Sequence, residues 1–242
     1  VAIDTGTTAN EEGINTTGDT NTISVSTTGS IATGGVNAFG IWQNGNDNTT
    51  NMSGSITTAG NGGVGILDTG NNNLTTMSGS IANTGELGKG LSIFGNTNTT
   101  NVSGNITTAG KRGHGIHLEG NNNTTTLSGA SNITTTGEEA GGIVIVGNSN
   151  TVEISGTVSA TGTNAAALAV GSGDGNTFIL NEGAKVIGQI LAAGVYEAIP
   201  GGTNNKLIFN LGKGASYAYH VAGNGVGTGA GQWTFSDQNG KT

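Results

Sequence analysis

The sequence predicts an all-β fold, a right-handed parallel β-helix whose coils are about 25 residues long, hold three short strands each and end in a C-terminal cap. Three observations carry this. One glycine recurs at Gly13, Gly40, Gly65, Gly90, Gly115 and Gly142, at intervals of 27, 25, 25, 25 and 27 residues. Two further glycine registers, Gly29 to Gly156 and Gly18 to Gly147, keep step with it. Between the glycines apolar and polar residues alternate with period two, and no stretch has the spacing of a helix.

The unit is clearest from Phe39 to Gly63, FGIWQNGNDNTTNMSGSITTAGNGG, which returns as VGILDTGNNNLTTMSGSIANTGELG and KGLSIFGNTNTTNVSGNITTAGKRG. Its first strand places Ile14, Ile41, Ile66, Leu91, Ile116, Ile143 and Leu168 in one column. The second strand contributes Val25, Met52, Met77, Val102, Leu127, Ile154 and Leu180. The third contributes Ile31, Ile56, Ile81, Ile106, Ile133 and Val158. A single unit cannot bury such a face alone, whereas stacked units bury a continuous column. With strands about 4.8 Å apart, eight coils make a rod of roughly 40 Å, and parallel crossovers wind right-handed.

Asn is placed as regularly as the aliphatics. Asn21, Asn48, Asn73, Asn98, Asn123, Asn150 and Asn176 share one register just ahead of the second strand. Stacked, they form a ladder in which side-chain amides bond each other and hold corner backbone groups.

Residues 1–186 read as the regular β-helix coils, with the first twelve a partial coil or frayed end. Residues 187–242 read as terminal irregular coils and a cap. Six aromatics fall there, Tyr196, Phe209, Tyr217, Tyr219, Trp233 and Phe235, and would cover the open strand edges of the solenoid. Two copies are two residues longer than the rest, and the extra residues are expected near Val36–Phe39 and Glu138–Gly141.

Composition excludes several functions. Among 242 residues there are 47 Gly, 1 Pro and no Cys, so neither a disulfide framework nor a thiolate metal site exists. The net charge is −8 with no basic stripe, which argues against nucleic acid as a partner. No run of apolar residues approaches the length of a membrane-spanning helix.

Function must then lie in outward positions. On the first strand these run Asn15, Trp42, Leu67, Ser92, His117, Val144 and Ala169, with Asn44, Thr69, Phe94, Glu119 and Val146 beside them. Trp42, Leu67 and Phe94 are expected to form an exposed apolar patch on neighbouring coils, or else a strip covered by a flanking loop. The corner before that strand varies most in charge, with Lys111 and Arg112 in one coil and Glu138 and Glu139 in the next. The candidate surface contacts are therefore Trp42, Leu67, Phe94, His117, Lys111 and Arg112. Gln43 and Asp68 fall on the inward register. A buried Asp is costly unless paired, so they either bond each other across one coil step or the register slips there.

No catalytic residue, metal ligand set or cofactor is assigned. His114, His117 and His220 are the only histidines, and no nucleophile motif accompanies them. His114 and His117 lie around one corner without a placed carboxylate, a weak zinc pattern. Gly173-Asp174-Gly175-Asn176 resembles a calcium loop lacking its further carboxylates. Outward pairs on the second strand include only one Thr-x-Thr, Thr124/Thr126, so a flat ice-binding array is a poor fit.

The runs of the form GNxNTxxxSGSITTAGxxGxGI, read from Gly45 to Ile66 and repeated, resemble the passenger domains of Gram-negative autotransporters. NNKLIFNLGKGASYAY (204–219) followed by GAGQWTFSDQNGK (229–241) resembles the end of such passengers. The resemblance covers nearly all of the chain. It implies a parallel β-helix exported across the inner membrane and translocated through a C-terminal outer-membrane barrel. That barrel is absent from this sequence, and membrane contact would come only through it. The lack of Cys fits, because disulfide-locked passengers translocate poorly. Enzymatic members carry catalytic residues or an added domain, and neither is found. The reading is a non-enzymatic, adhesin-like or stalk passenger at the cell surface, with a role in surface interaction or virulence. Its partners would be host or neighbouring-cell molecules, glycan or protein, or further copies of itself. The alternatives are a carbohydrate-active β-helix enzyme and, behind it, a Thr-array ice-binding protein.

Overall fold

The computed structural model describes residues 2–191, 202–210, 221–222 and 233–237. Strands, and no helices, make up the regular structure of the described residues. They form three parallel sheets of eight, nine and nine strands, in which each strand pairs with its counterpart one coil on. This is a β-solenoid of about eight turns, as the repeat predicts.

We call the three sheets faces 1, 2 and 3 in the order in which they follow one another from Ile14 onward, the opening strand Ala2–Asp4 belonging to face 3. Face 1 holds Phe39–Asn44, Val64–Thr69, Lys89–Phe94, His114–Glu119 and Gly141–Val146, flanked by Ile14–Thr17 and Ala166–Ser172. Face 2 holds the Asn/Thr strands, among them Thr49–Met52, Leu74–Met77, Thr99–Val102 and Thr124–Leu127. Face 3 holds the Ser/Ile strands, among them Ser55–Thr58, Ser80–Asn83 and Asn105–Thr108. The aliphatic columns are in register across coils: Ile41 faces Ile66, Ile66 faces Leu91, and Ile81 faces Ile56 and Ile106. All of these are buried. Each fully buried aliphatic contributes about 1.5–3 kcal/mol.

Two kinds of glycine make the coil closable. Gly65 follows the first residue of its strand, and a Cβ there would lie 2.4 Å from Ile81 Cγ2 and 2.5 Å from the Gly90 carbonyl oxygen. The space a side chain would need is filled by the aliphatic column of face 3. Gly70, at the corner between faces 1 and 2, has φ +128, and its Cβ would sit 1.9 Å from the carbonyl of Gly45. Only a residue without a Cβ permits that approach of neighbouring coils.

The Asn ladder is present, but its bonds run to the main chain. The backbone N–H of Asn48 donates to Asn73 Oδ1, Asn73 to Asn98 and Asn98 to Asn123, each at 2.8 Å. The side-chain amides donate to corner carbonyls, as Asn98 Nδ2 does to Gly70 at 2.9 Å. The expected amide-to-amide bond occurs at Asn150 Nδ2 to Asn176 Oδ1, 3.0 Å. A strand-entry N–H has no ladder carbonyl of its own, so the side-chain oxygen is better used there.

A second ladder, which the sequence reading does not contain, runs outside the first. Asn71 N–H donates to Asn46 Oδ1, Asn96 to Asn71 and Asn121 to Asn96, each at 2.9 Å. Here the acceptor reaches toward the C-terminal neighbour, opposite to the inner ladder. Between the two ladder positions lies a left-handed residue, Asp47, Asn72, Thr97 or Asn122, with φ between 55 and 58. Asn and Asp adopt that conformation at least cost after Gly.

Two sequence expectations need correction, and one open alternative is decided. The two-residue insertions are not at Val36–Phe39 or Glu138–Gly141. They lie at the corner between faces 2 and 3, in Ser26–Gly29 and Ser128–Ser131, each closed by a turn bond of 2.8 and 3.0 Å. Of the two readings of the first residues, the partial coil is the one that forms: Ala2–Asp4 pairs in register with Ser30–Ala32. Gln43 and Asp68 do point inward and are register partners, yet no bond joins them. Gln43 Oε1 accepts from Thr50, while Asp68 accepts from Asn73 Nδ2 at 2.7 Å and Thr75 Oγ1 at 2.8 Å.

The aromatic cap expected over 187–242 lies largely outside the described residues. Within that stretch, Asn205–Asn210 and Trp233–Asp237 extend face 2 in parallel register, and Val221–Ala222 extends face 1.

Candidate functional site

The outward surface of face 1 is where side chains depart from the Ser/Thr/Asn pattern of the other faces. Each of its six-residue strands bends at the glycine in second place. Because Gly115 and Ile116 both turn inward, His114 and His117 emerge on the same outer side despite a separation of three. Strict period-two reading would put them on opposite faces. Lys89 occupies the His114 position one coil earlier, and Ser92 the His117 position.

The predicted contact residues separate into three groups. Trp42 and Leu67 are in register on neighbouring strands and half-buried. Trp42 meets Phe39 edge to face, with ring centroids 6.1 Å apart and planes at 82°. Its indole Nε1 donates to Thr69 Oγ1 at 3.4 Å. Phe94 does not join this pair. It sits in the next column, in register with Thr69, and tilts against His117 at 5.8 Å.

His117 is not a surface contact. It is 8% exposed, and Ser92 between it and Leu67 is fully buried. From Ser92 through Ala169 the middle column of face 1 is covered, so an open strip running the length of the rod is not what forms. His117 stacks on His114, with centroids 5.7 Å apart and planes at 17°. The Gly141 N–H donates to His114 Nδ1 at 3.1 Å, which requires that nitrogen to be unprotonated. Burial, reinforced by the nearby Lys89 charge, pushes His114 down to about 3. Burial, then Lys89 and His114, holds His117 well below the usual imidazole range. Burial also lowers Lys89, opposed by the Glu119 carboxylate. Both imidazoles are therefore neutral at pH 7.

Lys111 and Arg112 lie together on the corner between faces 3 and 1, away from Trp42. Each is tied to the next coil: Lys111 Nζ to Glu138 at 3.0 Å and Arg112 Nε to Glu139 at 2.7 Å. Arg112 and Glu139 both hold the left-handed corner conformation, with φ 55 and 57. Exposed pairs of this kind contribute little to stability, and their charges are directed along the rod.

Sequence reasoning passed over Phe39 and Lys89 as site residues. The signal was available, since both stand one place before the strand glycine, in the column that also contains Val64 and His114. Among the described residues no group of three or more His, Asp or Glu side chains is placed to hold a metal ion. The one deeply buried carboxylate among them, Asp68, faces the core. Burial raises it to about 6 against the opposing bonds from Thr75 and Asn73.

Compared with family models, with curated proteins and with solved structures, the chain matches none.

Proposed function

We propose that the chain is the surface-exposed passenger of an autotransporter, acting without catalysis as an adhesin-like or stalk element. The observation that supports this most is the placement of the stretch that resembles a passenger terminus. Its described parts, Asn205–Asn210 and Trp233–Asp237, continue face 2 as further parallel strands in register. A rod whose face 2 carries on in parallel into its C-terminal stretch suits vectorial delivery end first. Each arriving coil finds a parallel template for all of its strands, and no long-range pairing must wait. The varied outer surface of face 1 then supplies contact, while faces 2 and 3 supply length.

The reading is tested on intact bacteria carrying the complete gene. Added protease should remove the chain from unbroken cells, and beads coated with the purified chain should attach to host or neighbouring cells. Protection of the chain until lysis would overturn the surface location.

A further inference from the structure

We propose that Phe39, Trp42 and Leu67 form the floor of a binding site for an uncharged pyranose sugar. This rests on the surface-contact reading above and names the ligand class that the site would take.

The floor is apolar and shaped. Trp42 and Leu67 lie side by side on adjacent coils, and Phe39 stands at right angles to the indole. All three are half-buried, so part of each remains open to solvent. A pyranose ring offers a matching surface, a flat patch of C–H groups that lies against the electron-rich face of an indole. The indole is also held in place. Its N–H donates to Thr69 Oγ1, which lies 3.0 Å from the Gln43 carbonyl and 3.2 Å from Asn44 Oδ1. A ring fixed by such a chain loses little entropy on binding.

The rim is polar in the way that hydroxyl groups need. Asn15 is the register partner of Trp42, and Thr17 of Asn44. Amides of this kind both donate and accept. Glu12, half-buried, stands two places ahead of Ile14, whose partner is Ile41, and so lies one coil from Phe39. Its carboxylate accepts from hydroxyls and repels anions, and the chain as a whole carries −8. Charge therefore favours neutral sugars over sialylated or sulfated ones. Size argues in the same direction. A stable protein interface needs about 800 Å² per partner, which three half-buried side chains cannot provide. A second copy or a folded protein is a poor occupant, and a small ligand a good one.

The test uses the purified chain on an array of neutral, sialylated and sulfated oligosaccharides, followed by calorimetric titration of the neutral hits. Neutral glycans should bind. Trp42→Ala should weaken binding at least tenfold, Trp42→Phe only a few-fold, and Asn15→Ala, which leaves the floor intact, three- to tenfold. Asn101→Ala, on face 2, should change nothing. Absence of any neutral hit, equal binding by the first variant, or binding confined to anionic glycans would overturn the inference. Bead attachment separates the two ideas. If coated beads attach to cells and Trp42→Ala leaves attachment intact, the glycan site falls and the adhesive reading stands. If beads attach to no cell while neutral glycans bind, the reverse holds.

Discussion

Coils two and three and coils four to seven stack strand on strand, with a single register shift where Val146 meets Ser172, but they distribute polarity in opposite ways. In the earlier pair the inward side of face 1 carries Gln43 and Asp68, and the outward side carries Trp42 and Leu67. In the later coils the inward side is Ile93, Leu118, Ile145 and Val170, and the outward column is Ser92, His117, Val144 and Ala169. The stack tolerates either, because the backbone bonds between coils are satisfied regardless of side chain. What changes is the response to protons. The earlier coils bury a carboxylate and the later ones bury two imidazoles, so acid acts on them with opposite sign.

The largest effect should come from the later coils. His114 binds its proton at about 3 in the fold against 6.5 unfolded. Its folded value is depressed, so the stability it contributes is complete above pH 6.5 and is lost as pH falls toward 3. A tenfold change in proton affinity is worth about 1.4 kcal/mol, so the loss approaches about 4–5 kcal/mol at the acid end. Urea denaturation from pH 7 to pH 4 should show stability declining, and His114→Val with His117→Val should flatten the decline. An unchanged slope in that double variant would remove the pair as its source.

Packing comes next. Leu118→Ala should cost about 2–5 kcal/mol, because the column on either side cannot collapse into the cavity. The same measurement on Gln43→Ala should give a smaller loss, since that site already leaves one amide nitrogen without a partner among the described residues. Equal losses would mean that the interiors of the two regions are equivalent.

Asp68 gives the opposite pH dependence. Its folded value is raised from 3.8 to about 6, so its contribution is favourable below pH 3.8 and is lost as pH rises through 6. Asp68→Asn should therefore be more stable than the natural chain above pH 7, by about 3 kcal/mol at most, with the advantage vanishing near pH 4. Thermal melts across that range would show it, and a variant less stable at every pH would refute the assignment.

The smallest effect is local. Leu87 is exposed and holds φ 58, a left-handed conformation that costs a branched side chain about 1 kcal/mol. Leu87→Asn should raise stability by about that amount, and a drop in melting temperature would show that Leu87 packs against something at the corner.

The fold was legible because its signals repeat. Each inward Ile, each corner Gly and each ladder Asn is stated again in the next copy, so a mistake in one is corrected by the others. The insertions escape a single glycine register, which gives the length of a coil and not the place where it grows. Val25 to Met52 spans 27 residues while Gly29 to Gly54 spans 25, which localises the first insertion between Val25 and Gly29. The site was less legible, since period-two alternation fails at the strand glycine. That bend brings His114 beside His117 and Phe39 beside Trp42, contacts that no spacing rule for a straight strand would give. Burial of the later outward column was invisible for another reason. Ser92 and His117 are polar, and nothing in their type marks them as covered.

The two Asn ladders at the corner between faces 1 and 2 run in opposite senses, and this gives each described coil two unlike surfaces. The upper surface offers an inner donor and an outer acceptor, and the lower surface the reverse. Two rods meeting head to head would set acceptor against acceptor and donor against donor. Between the described coils the contact is therefore always head to tail, and each coil meets the next in the same sense. The corner amides thus set a direction of assembly, like the thread of a screw.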